Sequence, residues 1–145
     1  MNHTTTYLSF ILNGRYFAVD TAHVLEVLYN HRLSHIPNAV EFVAGVINFR
    51  GEIVTIIDLQ RKFMVPDDQT EKKNAIIVLE FKTANKTLYT GCLVSKVNRV
   101  VTVPTVDIQP VPQFGTYFNP DYLSGVINLD HQFCPIINME SIFSS

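Results

Sequence analysis

One stretch of this chain occurs twice, and that recurrence limits the possible folds more than any other feature. GVINFRGEIVTIIDL at 45–59 lies over GVINLDHQFCPIINM at 125–139 at a shift of 80 residues. Six of the fifteen pairs are identical, and the alternating positions stay apolar, as paired half-buried strands require. Upstream the register is 73, with Tyr16, Val24 and Val27 over Tyr89, Val97 and Val100. The seven extra residues fall in a Pro-rich connection at 104–120. The chain therefore reads as two similar β units, about 7–65 and 75–143.

The segments agree with that reading. Strand-like runs fall at 7–12, 16–19, 25–29, 45–49, 52–57, 75–81, 87–94, 97–103, 125–129 and 133–137. Asn13-Gly14 between the first two is a strong hairpin signal. Asp20 can cap a short helical turn over 22–24, Pro37-Asn38 opens a second turn at 39–42, and Asp58 caps a short helix at 59–63. A polar loop is expected at 66–74 and a last short helix from Asn138. Short strands at close spacing indicate an all-β barrel or sandwich.

Composition narrows the function. The 145 residues are 47% hydrophobic and 17% charged, against about 25% charged in an average domain. Such a chain has either a large core for its size or apolar faces turned to partners. A net charge of −2 speaks against a nucleic-acid binder, which needs a dense basic stripe. No apolar run approaches the roughly 18 residues that span a bilayer, and the N-terminus does not read as a signal peptide, so a cytoplasmic location is expected. Cys92 and Cys134 sit in apolar strands and read as small buried hydrophobes. His31 and His35 have metal spacing if helical, but Leu33 and Pro37 favour loop or strand, and no third ligand lies near. No nucleophile motif, phosphate-cradling loop or working carboxylate pair is present, so neither catalysis nor a cofactor is expected.

The two copies of the repeat diverge at the hairpin turn: Arg50-Gly51 in the first, Asp130-His131 in the second. Gly51 answers a backbone demand, since tight turns need positive φ. Arg50 has no such reason. It is either a solvated turn residue or a planar fork of donors presented to a partner.

These residues resemble the CheW-like domain, the chemotaxis coupling family, over nearly the whole chain. The resemblance rests on YLSFILNGRYFAVDTAHVLEVL, on IPNAVEFVAGVINFRGEIVTIIDLQRKF with Pro37, Gly45, Asn48, Arg50, Gly51 and Asp58 in order, and on YLSGVINLDHQFCPIINMESIF. It implies two tandem SH3-like five-stranded β-barrels around a shared apolar core, with a few short helices. It implies a non-enzymatic adaptor between the cytoplasmic tips of chemoreceptors and the CheW-like regulatory domain of a histidine kinase, recruited to membrane-associated arrays. A scaffold for a non-chemotaxis system such as surface motility is the alternative. Position by position, Val24, Glu26 and Val27 match the receptor-binding strand. Gly45, Asn48, Arg50 and Gly51 match the GVxNxRG hairpin tied to receptor and kinase coupling. Gly91 and Val97 match positions lining the groove between the barrels.

Overall fold

The computed structural model describes residues 3–63, 72–112 and 120–144. All ten expected strands are present: β1 Thr4–Leu12, β2 Arg15–Asp20, β3 Val24–Tyr29, β4 Val43–Phe49, β5 Glu52–Asp58, β6 Ala75–Lys82, β7 Thr87–Val94, β8 Lys96–Pro104, β9 Leu123–Leu129 and β10 Gln132–Ile137. Two short helices follow the repeated hairpins, α1 Leu59–Lys62 and α2 Met139–Ser144. The helical turn after Asp20 spans Thr21–His23, with the Asp20 carboxylate accepting from Ala22 N–H at 2.8 Å. The segment after Pro37 makes turns but no helix. Most of the 66–74 loop and part of the 104–120 connection lie outside the described residues.

The strands form two five-stranded sheets, ordered β8-β1-β2-β10-β9 and β3-β6-β7-β5-β4. The expected pair of barrels is thus present, but each draws on both halves of the repeat. The repeat equates β1–β5 with β6–β10, yet β1 and β2 join β8, β9 and β10, while β6 and β7 join β3, β4 and β5. The halves have exchanged their last three strands. Local hairpins β1–β2, β4–β5, β6–β7 and β9–β10 stay intact, and parallel pairings β2·β10 and β5·β7 join them across the exchange.

Each sheet is drawn closed by one short bridge. Ser34 exchanges two backbone hydrogen bonds of 2.9 Å with Val46, and Gln109 does the same with Val126 at 2.8 and 2.9 Å. Glycine permits this approach. A Cβ on Gly45 would stand 2.6 Å from the Ser34 carbonyl oxygen, and one on Gly125 would stand 2.8 Å from Ile108 Cγ2.

Three apolar clusters fill the molecule. Tyr7, Ala18, Ile127, Leu129, Cys134 and Ile136 fill the first barrel, and Ile47, Phe49, Val54, Ile56, Ile76 and Val78 fill the second. Between them lies a larger core to which both sheets contribute, including Phe10, Phe17, Leu59, Ile77 and Leu79. Each buried side chain of this size is worth about 1.5–3 kcal/mol. At the sheet exits, Asp58 Oδ1 caps α1 through Gln60 and Arg61 N–H, and Asn138 Oδ1 accepts from Ser141 N–H in α2. The Asp58 carboxylate also holds Lys73 Nζ at 3.0 Å.

Candidate functional site

Strand β3 carries three of the candidate positions. Strict alternation would put Val24 and Val27 on opposite faces. A register shift against β6 between Val24 and Glu26 inserts one extra residue and rephases the strand. Val24 and Val27 then both pack on the shared core, while Leu25 and Leu28 both pack inside the barrel. Glu26 is left exposed between them. Val97, the repeat partner of Val24, is the second residue of β8 and also rests half-buried on the shared core. A matching shift places Ser9 against Asn98 and Arg99: the buried Ser9 hydroxyl donates to Arg99 O at 2.8 Å and accepts from Arg99 N–H at 3.2 Å.

The β4–β5 hairpin carries four more. Arg50 and Gly51 have φ of 53° and 83°, the type I′ geometry of a two-residue hairpin, which favours Asn, Asp and Gly. Arginine pays about 1–2 kcal/mol for that left-handed conformation, so the turn itself does not account for Arg50. Asn48 braces the loop, its Oδ1 accepting from Gly51 N–H at 3.2 Å. The Arg50 guanidinium lies 4.9 Å from the Phe49 ring centroid. Neither Arg50 nor Glu26 has an ion-pair partner among the described residues.

The nine positions singled out in the sequence therefore divide by their surroundings. Glu26, Asn48, Arg50 and Gly51 are exposed on β3 and the hairpin tip, and Val24, Val27 and Val97 are half-buried at the margin of the shared core. Gly45 and Gly91 are buried and serve packing: Gly45 admits the closing bridge, and a Cβ on Gly91 would meet Ile56 Cδ1 at 2.6 Å.

The structure adds residues the sequence reading passed over. Ile53 and Phe133, equivalent at the shift of 80, are 72% and 77% exposed beside the two hairpin tips. Arg99 and Asp130, half-exposed, pair at 2.9 Å in the first barrel, at the positions equivalent to Glu26 and Arg50. Both were readable by laying the two repeat registers over each other residue by residue. Burial pushes the Cys134 thiol up to about 12 and raises the Cys92 thiol further, so neither is a nucleophile near neutral pH. Among the described residues no group of three His, Cys, Asp or Glu side chains could hold a metal ion.

Two closed barrels with their distinctive chemistry on a strand edge and hairpin tips define a protein-docking module. The chain belongs to the CheW-like domain family, whose model matches residues 6–145. It is 30% identical over 139 residues to the chemotaxis protein CheW of Klebsiella aerogenes, covering 96% of this chain and 81% of that protein. It is 27% identical to the CheW of Rhizobium meliloti, covering 95% and 86%. The crystal structure of the scaffolding protein TtCheW from Thermoanaerobacter tengcongensis superposes with a TM-score of 0.85 at 26% identity, covering 99% of this chain and 90% of that one.

Proposed function

We propose that the chain is a non-enzymatic chemotaxis adaptor that couples chemoreceptor cytoplasmic tips to the CheW-like regulatory domain of a histidine kinase. The kinship with chemotaxis proteins favours this over a non-chemotaxis system such as surface motility. The observation that carries the reading is Arg50, an exposed cation with no ion-pair partner among the described residues, held in a turn whose geometry disfavours arginine.

Val24, Val27 and Val97 offer half-buried apolar surface to the apolar stripe of a helical receptor tip, with Glu26 and Arg50 fixing its register. A guanidinium fork suits a carboxylate or backbone carbonyls on the partner. Single contacts of this size hold at micromolar affinity, about −8 kcal/mol, and repetition in an array supplies avidity. No described helix is long and apolar enough to cross a membrane. The signal passes as a change in how receptor and kinase are placed, with no bond made or broken on the adaptor.

Arg50→Ala tests the reading in a reconstituted receptor–kinase assay. The variant keeps the wild-type melting curve, because an exposed charge at a turn tip contributes little to stability, and it loses most kinase activation. Full activation by folded Arg50→Ala protein refutes the role.

A further inference from the structure

The two repeat copies build the same hairpin twice and put different side chains on it. The left-handed pair is Arg50-Gly51 in one and Asp130-His131 in the other, with φ of 53° and 83° against 51° and 65°. Each turn carries the same brace: Asn48 Oδ1 accepts from Gly51 N–H at 3.2 Å, and Asn128 Oδ1 accepts from His131 N–H at 3.0 Å. The residue before the turn is Phe49 in the first copy and Leu129 in the second, 6% and 4% exposed, each in the core of its own barrel. Leucine therefore satisfies this backbone and this depth of burial, and the hairpin itself does not call for the ring of Phe49. The ring has another use. The Arg50 guanidinium lies 4.9 Å from its centroid, and Tyr89 meets it edge-on at 6.2 Å and 60°, which holds the plane of the ring. Leu129 offers no aromatic face, and there Asp130 pairs instead with Arg99 at 2.9 Å.

We infer that Phe49 is a positioning residue for Arg50: with Tyr89 behind it, its ring holds the guanidinium in one orientation before a partner arrives. An exposed arginine otherwise samples many rotamers, and docking has to freeze them. A cation stacked on an aromatic face has given up part of that freedom already. Stacking also occupies one flat face of the fork and leaves its in-plane N–H edges clear of the ring. Those edges are the ones that bind oxygen acceptors, two at a time. The inference rests on the coupling role proposed for Arg50 and adds how that side chain is aimed. It also explains why the ring and the cation occur together in one copy and are both missing from the other.

Side-chain NMR on the full chain reads the stacking without any partner. In the wild type the Arg50 Nε–H and Hδ signals are expected to be shifted upfield by the ring and restricted on the ps–ns scale. Phe49→Leu introduces the side chain that the second copy already accommodates. It is expected to stay folded by circular dichroism and to lose both signatures, whereas Phe49→Tyr keeps them. In the reconstituted receptor–kinase assay, Phe49→Leu is expected to raise the adaptor concentration for half-maximal activation about two- to fivefold. Phe49→Tyr stays near wild type. On an Arg50→Ala background Phe49→Leu changes nothing further, which a role through Arg50 requires and a general loss of packing does not give. Arg50 signals that are unshifted and mobile in the wild type overturn the inference. So does wild-type activation by Phe49→Leu, an equal loss in Phe49→Tyr, or a loss that persists in full on the Arg50→Ala background. Full activation by Arg50→Ala removes the coupling reading and the role of Phe49 with it, whereas failure of the NMR signatures removes the role of Phe49 alone.

Discussion

At the scale of single residues, the same chemical type performs different work according to its surroundings. Arg50 stands exposed in a left-handed turn with its guanidinium 4.9 Å from the Phe49 ring centroid, whereas Lys62, half-buried, lies 4.1 Å from the Phe42 ring and 5.7 Å from Tyr122. Arg50 was legible because the two repeat copies differ there. The brace supplied by Asn48 was not, since a side chain accepting from a backbone N–H three residues ahead leaves no mark on composition. The buried role of Cys134 was legible from its apolar neighbours, and it makes a pH prediction. Burial raises its folded pKa from 9.0 to about 12. Between those values the folded state holds a proton that the unfolded state has released, so stability falls as pH rises through this window and is unaffected below it. Urea unfolding of wild type and Cys134→Ala from neutral pH to above pH 9 is expected to show a steeper alkaline loss in wild type. Both cysteines are buried, so neither is expected to react with a thiol reagent in the native protein and both are expected to react once it is unfolded.

At the scale of strands and hairpins, the alternating apolar pattern carried nearly everything. Nine of the ten strands lie within two residues of where that pattern put them, and β1 starts three residues earlier, at Thr4. The register shift in β3 was hidden, because Val24, Leu25, Val27 and Leu28 read as a continuous apolar run broken by Glu26 and do not announce which residue is extra. The duty of Gly51 in a positive-φ turn was legible, but the close approach that Gly45 permits was not. Gly51 occupies a positive-φ turn with open space around it, while Gly45 has φ of 153° and the Ser34 carbonyl against its missing side chain. Gly51→Ala is therefore expected to cost about 1 kcal/mol. Gly45→Ala is expected to cost more than about 2 kcal/mol, because backbone rather than a flexible side chain must move. Chemical denaturation midpoints of the two variants check the order; a smaller effect at Gly45 is inconsistent with the closing bridge at Ser34.

For the whole molecule, the repeat revealed that there are two barrels and concealed how they are made. Each strand has a counterpart 73 or 80 residues away, and either counterpart satisfies the same apolar pattern, so the pattern is silent on which copy a hairpin joins. The structure answers that β1 and β2 belong with β8, β9 and β10. Cutting the chain between 67 and 68 consequently leaves both sheets incomplete on each piece. Residues 1–67 and 68–145 expressed apart are expected to be unfolded by circular dichroism and to regain native signal when mixed. Independent folding of either piece contradicts the exchange. The exchange also sets an order of events on the ribosome. Sheet β3-β6-β7-β5-β4 occupies one unbroken stretch, 24–94, so it leaves the exit tunnel ahead of β8, β9 and β10. The hairpin β1–β2, first out of the exit tunnel, has no partner strands until the last third of the message is read. A nascent chain that has emerged only as far as β7 holds one complete barrel and one exposed hairpin, and that hairpin is where a chaperone has work to do.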